Sequence, residues 1–86
     1  MALCNFSVDF KGSAEELVAK AKQAIEDAGG TFKGDTSSGS FTAPTPFGKI
    51  EGTYTISGQT INIAITKKPL IASCSLIEKK LKEYLS

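Results

Sequence analysis

The chain has 86 residues, ten cations against nine acids, and a net charge of +1. All ten cations are Lys, so there is no basic field to draw the chain onto phosphates and no guanidinium fork to grip guanine; nucleic acid is not expected as a partner. The absence of His removes His-based triads and His-containing metal sites, and 41% hydrophobic residues at this length support one modest core without a second domain.

Residues 4–11 alternate, with Phe6, Val8 and Phe10 on one side and Asn5, Ser7, Asp9 and Lys11 on the other, which predicts a half-buried strand ended by Gly12. Ser13-Ala14-Glu15-Glu16 is a capping box, and Ala14, Leu17, Val18, Ala21, Ala24, Ile25 and Ala28 recur at helical spacing after it. Gly29-Gly30 stops that helix, because glycine accepts the left-handed conformation that follows a helix C-terminus. Its stripe is mostly Ala, so the bulky partners must come from a sheet.

Thr31-Phe32-Lys33 is a short strand closed by Gly34-Asp35, and Thr36-Ser37-Ser38 is a turn. Gly39–Ala43 is a second short strand with Phe41 inward, which Pro44 and Pro46 are expected to interrupt. After Phe47-Gly48, residues 49–56 alternate again. Ser57-Gly58 signals a hairpin turn, and residues 59–66 return with Ile61, Ile63 and Ile65 inward. Lys67-Lys68-Pro69 leaves the sheet and Leu70-Ile71-Ala72 forms an apolar link. A second helix follows, with its capping box read at Ser75–Glu78 and its start placed between Ala72 and Ser75. Ile77, Leu81 and Leu85 lie four apart, with Leu76 and Tyr84 beside them. The fold class is therefore α+β, in the order β-α-β-β-β-β-α: one single domain over residues 1–86, an antiparallel sheet covered on one face by two helices.

Reactive constellations are missing from this pattern. There is no glycine-rich phosphate loop, and Glu15-Glu16 and Glu26-Asp27 are adjacent helical pairs whose members point apart. The hydroxyl-rich run 36–40 has no His to serve as base. No catalytic, cofactor-binding or metal-binding residue is expected, and the protein is not expected to be an enzyme. Lys67, Lys68, Lys79, Lys80 and Lys82 are interspersed with Glu78 and Glu83 and read as a solvated face. Cys4 and Cys74 form no CxxC and read as small, reduced thiols; a disulfide is the alternative, since both chain ends can meet on one sheet edge. Met1–Phe6 lacks the basic and apolar regions of a signal peptide, and no apolar run reaches the roughly 18 residues that span a bilayer. The expected location is the cytoplasm, with no membrane span.

Two surface features stand out. On the outward side of the long hairpin, Thr53, Thr55, Thr60, Asn62, Ala64 and Thr66 carry no charge, whereas wet sheet faces commonly carry Lys and Glu. Such a face suits a protein contact, a homodimer through it being one reading; the alternative is that Thr is there for its β propensity alone. Phe47, between Pro46 and Gly48, is either a loop contact or a plug at the end of the sheet.

The chain also resembles the small bacterial proteins known as putative polyhydroxyalkanoic acid system proteins. The similarity lies in the N-terminal strand, helix 13–28, Gly30-Thr31-Phe32-Lys33-Gly34-Asp35, Phe41, Gly48-Lys49-Ile50-Glu51-Gly52, strand 61–65 running to Pro69-Leu70, and a final amphipathic helix. The resemblance implies an α+β protein named from its gene neighbourhood near polymer-storage genes. It implies no activity and supplies no catalytic residue. The expected function is thus a small cytoplasmic interaction module linked to polyhydroxyalkanoate storage. The alternative is a helix-grip-like binder of a small apolar ligand, with Phe41 and Tyr54 behind two helices.

Overall fold

The computed structural model describes residues 3–46, 48–69 and 73–85. Its elements follow the expected order: β1 (Cys4–Asp9), α1 (Ala14–Asp27), β2 (Thr31–Gly34), β3 (Ser38–Thr45), β4 (Gly48–Ser57), β5 (Thr60–Lys67) and α2 (Cys74–Leu85). One antiparallel sheet has the strand order β1-β5-β4-β3-β2. Strands β2 to β5 form a meander of consecutive hairpins, and β1 closes the sheet beside β5.

The cross-strand registers stack the apolar alternates into rows on one face. One row is Cys4–Ile65–Gly52–Phe41–Phe32, the next Phe6–Ile63–Tyr54–Gly39–Gly34, the third Val8–Ile61–Ile56. In the first two rows large side chains sit beside glycines. A Cβ on Gly52 would lie 2.8 Å from Phe41 Cζ, and one on Gly39 would lie 2.6 Å from Tyr54 Cε1. The rings fill the space these glycines leave, which is how a sheet can seat large aromatics at interior packing density. Ile65 is fully enclosed, and Val8, Phe41, Tyr54, Ile61 and Ile63 are buried with it.

The helices lie on this face. Helix α1 packs over β2 and β3, α2 over β1, and the two helices touch. From α1, Leu17 is buried and Ala14, Val18, Ala21 and Ile25 press on the core. Ser13 caps α1 as its position dictates, its Oγ accepting from the Glu16 N–H at 3.1 Å. At the other end Gly29 adopts φ +90°, and the N–H groups of Gly29 and Gly30 donate to the carbonyls of Glu26 and Ile25. A side chain at Gly30 would collide with the Thr42 carbonyl, so this glycine also sets how closely α1 approaches β3. From α2, Ile77 is buried.

Three expectations need correction. The second helix is capped by Ser73 rather than Ser75: the Leu76 N–H donates to Ser73 Oγ at 3.2 Å, and Cys74 is already helical. Pro44 does not interrupt β3, which runs to Thr45 with Pro44 opposite Lys49. Strand β2 begins at Thr31, opposite Thr42, so at Pro44 β3 has a partner on the β4 side alone and tolerates a residue without an N–H. Finally, Cys4 and Cys74 are not reduced thiols but a disulfide, bridging the edge strand to the first turn of α2 with their Cα atoms 5.6 Å apart. The strand order explains it, since β1 sits at the edge that α2 covers. The apolar link 70–72 lies outside the described residues, as do the side chains of Leu81, Tyr84 and Leu85.

The surface of 5381 Å² exceeds by about a tenth the roughly 4,900 Å² typical of a protein this size. Two helices on one face leave the other face of the sheet bare, and the excess is consistent with that open layer.

Candidate functional site: the open sheet face

The bare face is built from the polar alternates of all five strands. Because side chains on a strand point alternately up and down, the registers that align the core rows also align the outer ones. One outer row reads Ser7–Asn62–Thr55–Ser38, the next Asn5–Ala64–Thr53–Ser40–Lys33. They are flanked by Asp9–Thr60–Ser57 on one side and Lys67–Glu51–Thr42–Thr31 on the other. Residues directly opposite lie about 5 Å apart, so the two central rows form a continuous lattice of hydroxyl, amide and methyl groups.

The predicted hairpin residues come together here. Thr53, Thr55 and Asn62 are exposed, and Thr60 and Ala64 are half-buried among them. Thr66 sits apart in kind. It is the extra residue of a bulge, since Gly52 pairs with Ile65 and Glu51 with Lys67, and its hydroxyl donates to the Glu51 carbonyl at 3.2 Å. Phe47 lies outside the described residues. Asn5, Ser7, Ser38, Ser40 and Thr42, which complete the face, were not singled out in the sequence. The first strand's alternation contained Asn5 and Ser7 all along, but only the strand order puts β1 beside β5.

Charge stands at the rim. Asp9 accepts from the Thr60 hydroxyl at 2.8 Å on the β1 side, Lys33 lies on β2 at the opposite edge, and Lys67 pairs with Glu51 at 3.6 Å. In the middle, the Ser7 hydroxyl donates to Asn62 Oδ1 at 2.6 Å. The face can therefore offer hydrogen-bonding groups and small methyls to a flat partner, with little charge to strip of water.

The helix side is arranged differently. Tyr54 is 3% exposed, its ring stacks on Phe32 with centroids 5.4 Å apart, and its hydroxyl donates to the Asp35 carbonyl at 2.7 Å. Burial, helped by the nearby Asp35 charge, pushes its pKa up, so the phenol stays protonated as a structural donor. The Asp35 carboxylate accepts from the N–H groups of Ser38 and Ser37, and these bonds hold its pKa below the usual carboxylate range. That geometry is an Asx turn joining β2 to β3, the turn chemistry expected of residues 35–38. Phe41 and Tyr54, the rings expected to line a ligand hollow, are packed on glycine and on Phe32 instead.

The lysine concentration is partly neutralised. Lys82 pairs with Glu78 one turn earlier at 2.7 Å and Lys67 with Glu51, and a shallow, open depression on α2 is lined by Ser75, Glu78, Lys79, Lys82 and Glu83. Among the described residues no three His, Cys, Asp or Glu side chains converge as metal ligands, and no helix is long and apolar enough to cross a membrane.

Fold and site together define a class: a two-layer α+β domain with one sheet face left bare and nearly uncharged. Comparisons with protein-family models, curated proteins and solved structures found no match to this chain.

Proposed function

We propose that this protein is a non-catalytic interaction module whose contact surface is the open sheet face and whose partner is a second copy of the chain. The observation that carries the reading is the pair of uncharged outer rows crossing β1, β5, β4 and β3. Five strands about 4.8 Å apart and about seven residues long give a footprint of about 24 by 23 Å, or about 550 Å² per copy. Two copies would bury about 1,100 Å², just above the roughly 1,000 Å² that a specific interface needs. The face thus fits a weak, reversible dimer with sheets packed face to face. The rim charges, Asp9, Lys33 and the Lys67–Glu51 pair, stay at the wet boundary.

The experiment is sedimentation velocity or light scattering over a concentration series, with Thr53→Lys and Thr55→Lys as variants. The expected result is a concentration-dependent dimer that both variants abolish without lowering the melting temperature by more than a few degrees. A monomer throughout the micromolar range overturns the reading. The resemblance to polyhydroxyalkanoate-associated proteins adds a second arm: partition of the native protein onto polyester granules without self-association would transfer the face to a polymer surface. A small apolar ligand is less well supported, because Phe32, Phe41 and Tyr54 spend their surfaces on one another and on the glycines beneath them.

A further inference from the structure

The inner face of the sheet has two covers with different attachments. Helix α1 covers β2 and β3 and is fixed at both ends, by the Ser13 cap and by Gly29-Gly30 packed onto β3. Helix α2 covers β1 and touches α1; among its described side chains Ile77 is buried, and its first residue carries a covalent bond to the sheet. That bond links residues 70 apart in sequence and ties the helix to the opening residue of an edge strand. The two cysteine residues differ in exposure. Cys4 is 4% exposed, whereas Cys74 is half-buried. Their neighbours Leu3 and Leu76 are 56% and 50% exposed, so the bridge lies at the protein's rim, within reach of a reagent in solution.

We propose that the Cys4–Cys74 disulfide is a redox latch on α2: a dithiol reductant opens it, α2 leaves β1, and the apolar inner side of β1, with Cys4 and Phe6, is uncovered. In the first step a thiolate of the dithiol attacks Cys74 Sγ, the S–S bond breaks, and Cys4 leaves as a thiolate that takes up a proton. The second sulfur of the reductant then attacks the mixed disulfide, releasing Cys74 as a thiol and leaving the reductant as its own disulfide. The protein gains two electrons and two protons, and the dithiol loses the same number. The rest of the sheet does not depend on the latch, because β2 to β5 are consecutive hairpins paired along their length, with α1 over β2 and β3.

The test is hydrogen exchange followed by mass spectrometry on the full chain, oxidised and after dithiothreitol, with Cys74→Ser as a permanently open form. The expected result is exchange across 74–85 faster by an order of magnitude or more on reduction, with residues 48–57 and 60–65 remaining protected. Cys74→Ser should show the open pattern with or without reductant. Unchanged exchange in 74–85 on reduction would mean the bond does not hold the helix. Simultaneous loss of protection in all elements would make the bond a staple of the whole fold. Two free thiols in protein purified without reductant would remove the latch altogether. Each of these three results overturns the proposal.

Discussion

Replacing Gly39 by Ala isolates the role of the glycine rows. An added Cβ would meet the Lys33 carbonyl, lie 2.6 Å from Tyr54 Cε1 and 2.7 Å from Gly34 Cα. Backbone cannot yield on two sides, so the Tyr54 ring must. Its hydroxyl bond to the Asp35 carbonyl contributes about 1 kcal/mol. Its stack on Phe32 contributes about 1 kcal/mol more, and overpacking adds about 1 kcal/mol or more. The expected loss is about 3 kcal/mol, which for a domain this small lowers the melting temperature by roughly 12–24 °C. The control is Gly58→Ala. Gly58 has φ +60° and Gln59 does not have positive φ, which makes Gly58-Gln59 a type II′ hairpin turn. A Cβ there would meet nothing within 4 Å, so the substitution costs only the positive-φ backbone strain of the turn, about 2 kcal/mol, with no overpacking. Thermal melts followed by circular dichroism compare the two. Equal melting temperatures for Gly39→Ala and Gly58→Ala would refute the claim that the ring occupies the place of a missing side chain.

Tyr54→Phe should cost about 1 kcal/mol in urea denaturation by deleting the donor to the Asp35 carbonyl. The raised folded pKa of Tyr54 means its contribution is fully present below the unfolded value near 10 and is lost as pH rises through the folded value; an ultraviolet titration showing one tyrosine ionising late checks it. For Asp35 the sign is opposite. Its folded pKa is depressed, so its stabilisation is present above the unfolded pKa near 3.9 and disappears as pH falls through the lower folded value, and Asp35→Asn should flatten the acid limb of the stability–pH curve. Ser13→Ala should cost about 1 kcal/mol, measured by chemical denaturation, since it leaves the Glu16 N–H without its cap.

Most of the fold was legible because its signals are local. The alternation of Phe6 with Val8 and of Ile61, Ile63 and Ile65 is a property of neighbours along the chain, as are the Ser13 cap and the Gly29-Gly30 stop. What escaped depends on partners distant in sequence. Pro44 is tolerated because β2 does not reach back to it, and nothing near Pro44 encodes that β2 begins only at Thr31. Ser75-Leu76-Ile77-Glu78 fits a capping box by pattern and Ser73-Cys74-Ser75-Leu76 does not, yet it is Ser73 Oγ that takes the Leu76 N–H. The cysteines themselves are 70 residues apart, so their pairing follows only once β1 is placed next to β5. The candidate face was half visible for the same reason: the hairpin's Thr53, Thr55 and Asn62 share a turn and read together, whereas Ser7 and Ser38 join them through strand order.

The position of β1 also governs how the chain is made. On a ribosome β1 emerges well before its neighbour β5, which spans residues 60–67, so Cys4–Asp9 waits for about fifty residues with no strand to pair with. The hairpins from β2 onward close early over short loops, and the joining of β1 to β5 comes last because it closes the longest one. Until then the nascent protein displays an unpaired edge of β5 beside the apolar alternates of β1, the interval in which neighbouring chains on one messenger could exchange first strands.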